Sequence, residues 1–246
     1  MTCTTTIRSR WLSRLTLFMG LILLMGTVAY LPPATAQSET QKPFILPFKE
    51  PPGPDTWLMA QPYGNTTGAY RQRNTTYRAG QGIHFGIDFS APCGTEVVAI
   101  GDGVVFAADN LNFGSGPHNL MIDHPDSGYA SFYGHLLERP DLEVGQQVKA
   151  GQVVGLSGDP AETCYGRPHI HLEIRDLRHW RKYNPAILME ADWDNLALVG
   201  PFSRAFQRDL DDPRRWQYLD DQPEIVVGGS LINDFAHPWP PDWRGR

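Results

Sequence analysis

Pro168-His169-Ile170-His171-Leu172-Glu173-Ile174 is the stretch on which the fold turns. Its apolar residues fall on every second position. A strand therefore puts Ile170, Leu172 and Ile174 on one face, toward a core, and His169, His171 and Glu173 on the other. The two imidazoles then look into the same space, roughly 6 to 7 Å apart at Cα, because each strand residue advances about 3.3 Å. They can share a site without both binding one metal ion. Glu173 on the same side either supports a histidine from behind or faces solvent.

Two other segments carry histidine: Gly82-Ile83-His84-Phe85-Gly86-Ile87-Asp88 and Tyr133-Gly134-His135-Leu136. Four strand residues between His84 and Asp88 span about 13 Å, too far for both side chains to reach one ion through bonds of about 2 Å. A helix would bring the two together, but Gly86 between Phe85 and Ile87 disfavours one. If both are ligands, the chain bends at Gly86, where a missing Cβ permits an unusual φ. The alternative is an ordinary core strand with a surface Asp. Two histidines and one carboxylate make the three-ligand set of catalytic zinc, which leaves a fourth position for water, whereas structural zinc prefers four closed ligands with cysteine among them.

Around these segments, from Trp57 to Asp176, short β-branched and aromatic runs alternate with Gly, Asp and Pro, the pattern of antiparallel β structure. Gly94 to Ala108 reads as a hairpin turning at Gly101-Asp102-Gly103, and His118 to Leu136 as a second turning at Pro125-Asp126-Ser127-Gly128. Val144 to Gly155 adds a pair of short strands around Ala150-Gly151. After Asn184-Pro185, Ala186–Leu198 and Ser203–Leu210 are the helix candidates. Trp193, Trp216, Trp239 and Trp243 either pack onto the β domain or line a sugar-binding surface. His118, His124, His179 and His237 read as surface or turn residues. Residues 37–55, with five prolines from Pro43 to Pro54, read as an extended leader with no core. The expected organisation is thus 1–36, 37–55, a β domain at 56–184 and a partly helical extension at 185–246.

The one long apolar run, Leu15 to Tyr30, follows Arg8, Arg10 and Arg14 and precedes Ala34-Thr35-Ala36, which predicts a cleaved signal peptide rather than an anchor helix. Cleavage takes 21 Lys+Arg to 18 against 27 Asp+Glu, and the net charge from −6 to −9. Such a surface repels nucleic acid and anionic membranes. Cys3 leaves with the signal. Cys93 and Cys164 remain as an even pair in an oxidising compartment, which predicts a disulfide, the alternative being two unrelated buried thiols.

The chain resembles the lysostaphin-type, or LytM-type, zinc metallopeptidases over about Gln61 to Asp176. The matching stretches are His84-Phe85-Gly86-Ile87-Asp88, Ala91-Pro92-Cys93-Gly94-Thr95, Gly101-Asp102-Gly103-Val104-Val105, Tyr133-Gly134-His135-Leu136, Val144-Gly145 to Gln152, and Pro168-His169-Ile170-His171-Leu172-Glu173. The resemblance implies a small antiparallel β domain with a substrate groove. It also implies Zn2+ held by His84, Asp88 and His171, with His135 and His169 flanking the reacting bond. The implied activity is hydrolysis of amide bonds in the peptide part of bacterial peptidoglycan, in the periplasm or outside the cell. A wall-associated regulatory protein is a second class of partner. The competing reading is a latent or non-catalytic regulator of other wall hydrolases, as in related domains that have lost zinc ligands. Glu162-Thr163-Cys164-Tyr165-Gly166-Arg167 departs from the family, which has a short Ser/Thr-Gly approach to the histidine pair.

Overall fold

Residues 41–78, 82–160, 164–199, 218–220, 222 and 224–227 are described in the computed structural model, all within the unit Gln41–Arg246. The expected signal peptide, the helix at Ser203–Leu210, and Trp216, Trp239, Trp243 and His237 lie outside them. The strands are β1 (Leu58–Gln61), β2 (Ile87–Ser90), β3 (Glu96–Val98), β4 (Gly103–Ala108), β5 (His118–His124), β6 (Tyr129–Leu136), β7 (Gln147–Val148), β8 (Val153–Leu156), β9 (His169–Asp176), β10 (Arg181–Tyr183) and β11 (Ile225–Val226). The helices are short: α1 (Thr67–Arg71), α2 (Pro185–Leu188) and α3 (Trp193–Val199). The fold is mainly β and its strand pairings are antiparallel, as the alternation predicts.

A nine-stranded sheet runs β1-β2-β9-β6-β5-β4-β7, with β10 joining β9 and β11 joining β10. β9 is its axis: β6 lies along one edge, while β2 and then β10 share the other. Ile170, Leu172 and Ile174 are fully buried with Ile87, Phe89, Leu120 and Ile122 in the main core. Each such aliphatic side chain contributes roughly 1.5–3 kcal/mol of burial. The opposite face carries His171, Glu173 and Arg175. All three are buried too, packed against one another and against Phe132 and Lys182.

The β5–β6 hairpin forms as read, with Ser127 and Gly128 closing the turn onto the His124 carbonyl. The other two expected hairpins do not form. β3 pairs with β8 and β4 with β7, so the two segments make one antiparallel ribbon that kinks out of the large sheet into a separate two-stranded one. The glycine-rich stretches mark the kinks, not reversals. Asp102 locks them together: its carboxylate accepts from Lys149 Nζ at 2.7 Å and from the Ala150 amide at 2.8 Å.

Residues 41–55 form no strand or helix, only bends, a turn and one bridge at Phe44, yet they contribute to the core, contrary to the reading from proline content. Phe44 and Phe48 are buried, and Phe48 stacks on Trp57 at 5.2 Å between ring centres. Phe44 bridges Met189 through Phe44 N–H to Leu188 O and Glu190 N–H to Phe44 O. That bridge explains why Ala186–Leu198 is not one helix. Asn184 caps α2, with Pro185 in its first turn, but Met189 must take an extended conformation (φ −112°, ψ 136°) to meet Phe44. The helix restarts as α3, whose Trp193 is buried and donates Nε1–H to Met189 O. His124 is also buried rather than at a turn surface. Its Nδ1–H donates to Asp102 O while Nε2 accepts from the Ser131 hydroxyl, and burial lowers its pKa.

Candidate metal centre and groove

On the face of the sheet opposite the main core lies a groove of about 1260 Å³. Among the described residues that line it, none comes from 41–57. Its floor is set by register: Asp88 of β2 stands directly opposite His171 of β9, so both side chains rise from the same face. His84 reaches the spot from outside the strand. It sits on an isolated bridge to Gly64, and the chain then bends at Gly86 before β2 begins. The expected bend is present, but its cause differs from the one expected, because Gly86 does not have a positive φ. Any Cβ there would come within 2.3 Å of Leu172 O on β9, so what glycine supplies is close approach of backbone to backbone.

Three donor atoms converge. His84 Nε2 lies 3.1 Å from Asp88 Oδ1 and 3.1 Å from His171 Nδ1, and His171 Nδ1 is 2.8 Å from Asp88 Oδ1. The other nitrogen of each ring is committed elsewhere. His84 Nδ1–H donates to Pro62 O at 2.8 Å, and His171 Nε2–H donates to Glu173 Oε1 at 3.2 Å. With Pro62 O and Glu173 each taking the proton on the far nitrogen, the atoms turned to a shared point in this buried pocket are His84 Nε2, His171 Nδ1 and Asp88 Oδ1, the set that ligates a metal when the rings are neutral. This arrangement wants a cation. A tetrahedral ion with bonds of about 2.1 Å separates its ligand atoms by about 3.4 Å, close to what is seen. His84, Asp88 and His171 are also the one His/Asp/His group with metal-binding spacing among the described residues.

The electrostatics agree. Burial opposes charge on Asp88, but the neighbouring His84 and His171 hold its carboxyl well below the usual range. Burial likewise opposes charge on His171, yet hydrogen bonds to Asp88 and Glu173 outweigh it and push its pKa up to about 9, so without a cation a proton bridges His171 Nδ1 and Asp88, and a metal would bind by displacing it. Glu173 is anchored from below, a support the sequence reading left open. Arg175 Nε donates to Glu173 Oε2 at 2.8 Å, and Lys182 Nζ lies 3.3 Å from the same oxygen. The Arg175 guanidinium stacks 4.1 Å over the Phe132 ring. Arg175 was findable, since it continues the alternation of Glu173. Lys182, from the next strand, was not.

His135 and His169 stand beside the triad, their ring centres 4.9 Å apart. His169 Nε2 is 4.0 Å from Asp88 Oδ1, and the His135 ring centre is 6.0 Å from that of His171. Alternation along β6 would send His135 into the core, because Tyr133 is buried there and Gly134 pairs with His171. A left-handed backbone at His135 (φ 61°) turns the side chain back to the groove. Such a conformation in a residue with a Cβ costs energy of order 1–3 kcal/mol and is characteristic of functional sites. Each ring also has a committed nitrogen: His135 Nδ1–H donates to Gly116 O and His169 Nδ1–H to Arg167 O. Burial, followed by the charge of His171, pushes the His135 pKa down to about 4, which keeps it neutral at ordinary pH. Cys93 and Cys164 form a disulfide with Cα atoms 5.5 Å apart.

Residues 82–185 match the model of peptidase family M23. The chain is 37% identical over 92 residues to lysostaphin of Staphylococcus staphylolyticus, an alignment covering 37% of this chain and 18% of that protein. It is 36% identical over 91 residues to the peptidoglycan DD-endopeptidase ShyA of Vibrio cholerae, covering 37% of this chain and 20% of that one. The matched segment is therefore about a fifth of the length of these relatives. Among solved structures, the catalytic domain of lysostaphin from Staphylococcus simulans aligns at 25% identity, with a TM-score of 0.41, over 53% of this chain and 90% of that one.

Proposed function

We propose that this chain, whose residues 82–185 belong to peptidase family M23, is a zinc-dependent endopeptidase that hydrolyses amide bonds in the peptide part of bacterial peptidoglycan. The convergence of three ligand atoms, from His84, Asp88 and His171, on the groove floor carries the reading. His84, Asp88 and His171 hold the metal. When bound, zinc supplies Lewis acidity toward a peptide carbonyl and lowers the pKa of water toward about 7.

The protein's own groups do the rest. His84 and His171 are held as ligands by Pro62 O and Glu173, which spares the site the cost of selecting tautomers on binding. His135 and His169, with Nδ1–H engaged by main-chain carbonyls, turn Nε2 to the groove as the nitrogen that exchanges a proton. One takes a proton from the attacking water, and together they return a proton to the leaving amine and stabilise the oxyanion. The buried floor excludes bulk water and strengthens each of these interactions. The similarity to a lysostaphin and to a peptidoglycan DD-endopeptidase supports the substrate class.

The rest of the reading follows from the sequence. Residues 1–36 direct export to the periplasm or beyond, 56–184 form the peptidase domain and 185–246 an extension. Among the described residues, no helix is long and apolar enough to cross a membrane. The test is digestion of purified peptidoglycan by the mature protein with zinc added or chelated, the products read by mass spectrometry. Cleavage that appears with zinc and stops with chelator is expected. Intact wall peptides under both conditions would favour the regulatory alternative.

A further inference from the structure

The Cys164–Arg167 stretch, where the chain departs from the resemblance, is tied down from several directions. Cys164 is disulfide-bonded to Cys93, and its own backbone is left-handed (φ 87°), a conformation a residue with a Cβ keeps only under restraint. Asp159, itself buried, accepts the Cys164 amide at 2.7 Å and the Gly166 amide at 2.9 Å through one oxygen, Oδ2. Two amides in a tight turn closing on one anion form a nest. The next residue, Arg167, offers its carbonyl to His169 Nδ1–H at 2.8 Å.

The same platform holds both flanking histidines. Ser157 O accepts from the Gly94 amide and Ser157 Oγ donates to Pro92 O, so the chain beside Cys93 is stitched to the segment before Asp159. Gly158 then donates its N–H to His135 O and accepts the His169 N–H, both at 2.9 Å. Gly158 has no room for a Cβ, which would meet the Leu137 backbone at 2.7 Å. Cys93 is exposed and Cys164 half-buried, so the disulfide is open to solvent while the platform it closes is not.

We propose that Asp159 and the Cys93–Cys164 disulfide are positioning groups for His169: they hold the Cys164–Arg167 turn in the shape that sets the His169 ring tautomer and aim, which makes hydrolysis dependent on thiol redox state without dependence of metal binding. The inference rests on the role proposed above for His169. Opening the switch requires a two-electron reductant: two electrons and two protons break the S–S bond into two thiols, while a dithiol becomes a disulfide or a phosphine takes an oxygen from water and becomes its oxide. Cys164 then relaxes from its left-handed backbone, and the Arg167 carbonyl leaves His169 Nδ1–H.

The experiment compares the purified oxidised protein, the same protein after a water-soluble phosphine, and Asp159→Ala with its disulfide intact. Three quantities are read: kcat and KM on cross-linked wall peptide, zinc content, and the ¹⁵N ring signals of His169. Reduction and Asp159→Ala are each expected to lower kcat on the order of tenfold to a hundredfold, the scale of a slightly misplaced group. KM and zinc stay unchanged, the His169 signals shift from one tautomer to a mixture, and reoxidation restores the reduced sample. His169 signals unmoved by either treatment would overturn the proposal, as would loss of zinc along with activity on reduction. Should the oxidised protein fail to cut wall peptides at all, the proposed hydrolysis falls, while the ring signals still decide the positioning.

Discussion

The two walls of the groove are built by different rules. The wall of β2 and β9 is regular sheet: Asp88 faces His171 by register, Glu173 and Arg175 follow by alternation, and one close approach at Gly86 brings His84 in. The opposite wall, from His135 through Asp159 to Arg167, is made of exceptions to regular structure and holds His169 where β9 begins. It carries left-handed backbones at His135 and Cys164, a buried carboxylate in a nest of amides, and a disulfide. Regular sheet holds groups rigidly at spacings the pleat dictates, which suits a metal that demands fixed donors. Irregular backbone lets a side chain be turned where alternation would not send it, which suits groups that must reach a bound substrate.

The largest expected difference between the walls lies in what their loss removes. His84→Ala or Asp88→Ala should leave little of the about one zinc per chain and abolish wall digestion, because a three-ligand site loses a third of its donors and keeps a buried charge imbalance. Metal analysis checks this, and full occupancy in both variants would remove the distinction. Next, His135→Ala should retain zinc yet lose on the order of a hundredfold in turnover. Parallel zinc content and digestion rates decide it, and zinc loss there would mean that the second wall also holds the metal.

A smaller effect is expected one step behind the ligands. Glu173→Gln keeps the shape but weakens the hold on His171 Nε2 and unbalances Arg175 and Lys182, so zinc affinity should fall about 10- to 100-fold. Competition with a zinc chelator measures it. An unchanged affinity would show that the regular wall positions His171 by register alone. Smallest in functional terms is Gly86→Ala. Its Cβ would press on Leu172 O, and the strain of an overpacked site, about 1–3 kcal/mol, should appear as a lower Tm. An unshifted Tm would mean that β2 can move away from β9 without cost.

The contrast between the walls also explains how much could be read from the sequence. The triad segments, the β9 alternation and the need for a bend at Gly86 follow from period-two geometry and bond lengths, which sequence displays directly. The reason for Gly86 was misread, because a close approach to Leu172 depends on a strand 86 positions away. The β3–β4 and β7–β8 hairpins were misread for the same reason: a glycine-rich kink and a glycine-rich turn look alike until the partner strand is known. Proline in residues 41–55 said nothing about Phe44 and Phe48, whose burial depends on where Met189 and Trp57 lie. The motif around His135 was visible, but the left-handed backbone that points it at the groove was not.

The most direct test sets two histidines of one strand against each other. His169 and His171 are two residues apart and face the same groove, but His171 Nδ1 joins Asp88 at 2.8 Å while His169 Nε2 stays 4.0 Å away. Zinc stoichiometry of His169→Ala and His171→Ala, measured side by side on folded protein, should give near-normal metal in the first and little in the second. Zinc lost from His169→Ala and kept by His171→Ala would contradict the division of the groove into a wall that holds the metal and a wall that uses it.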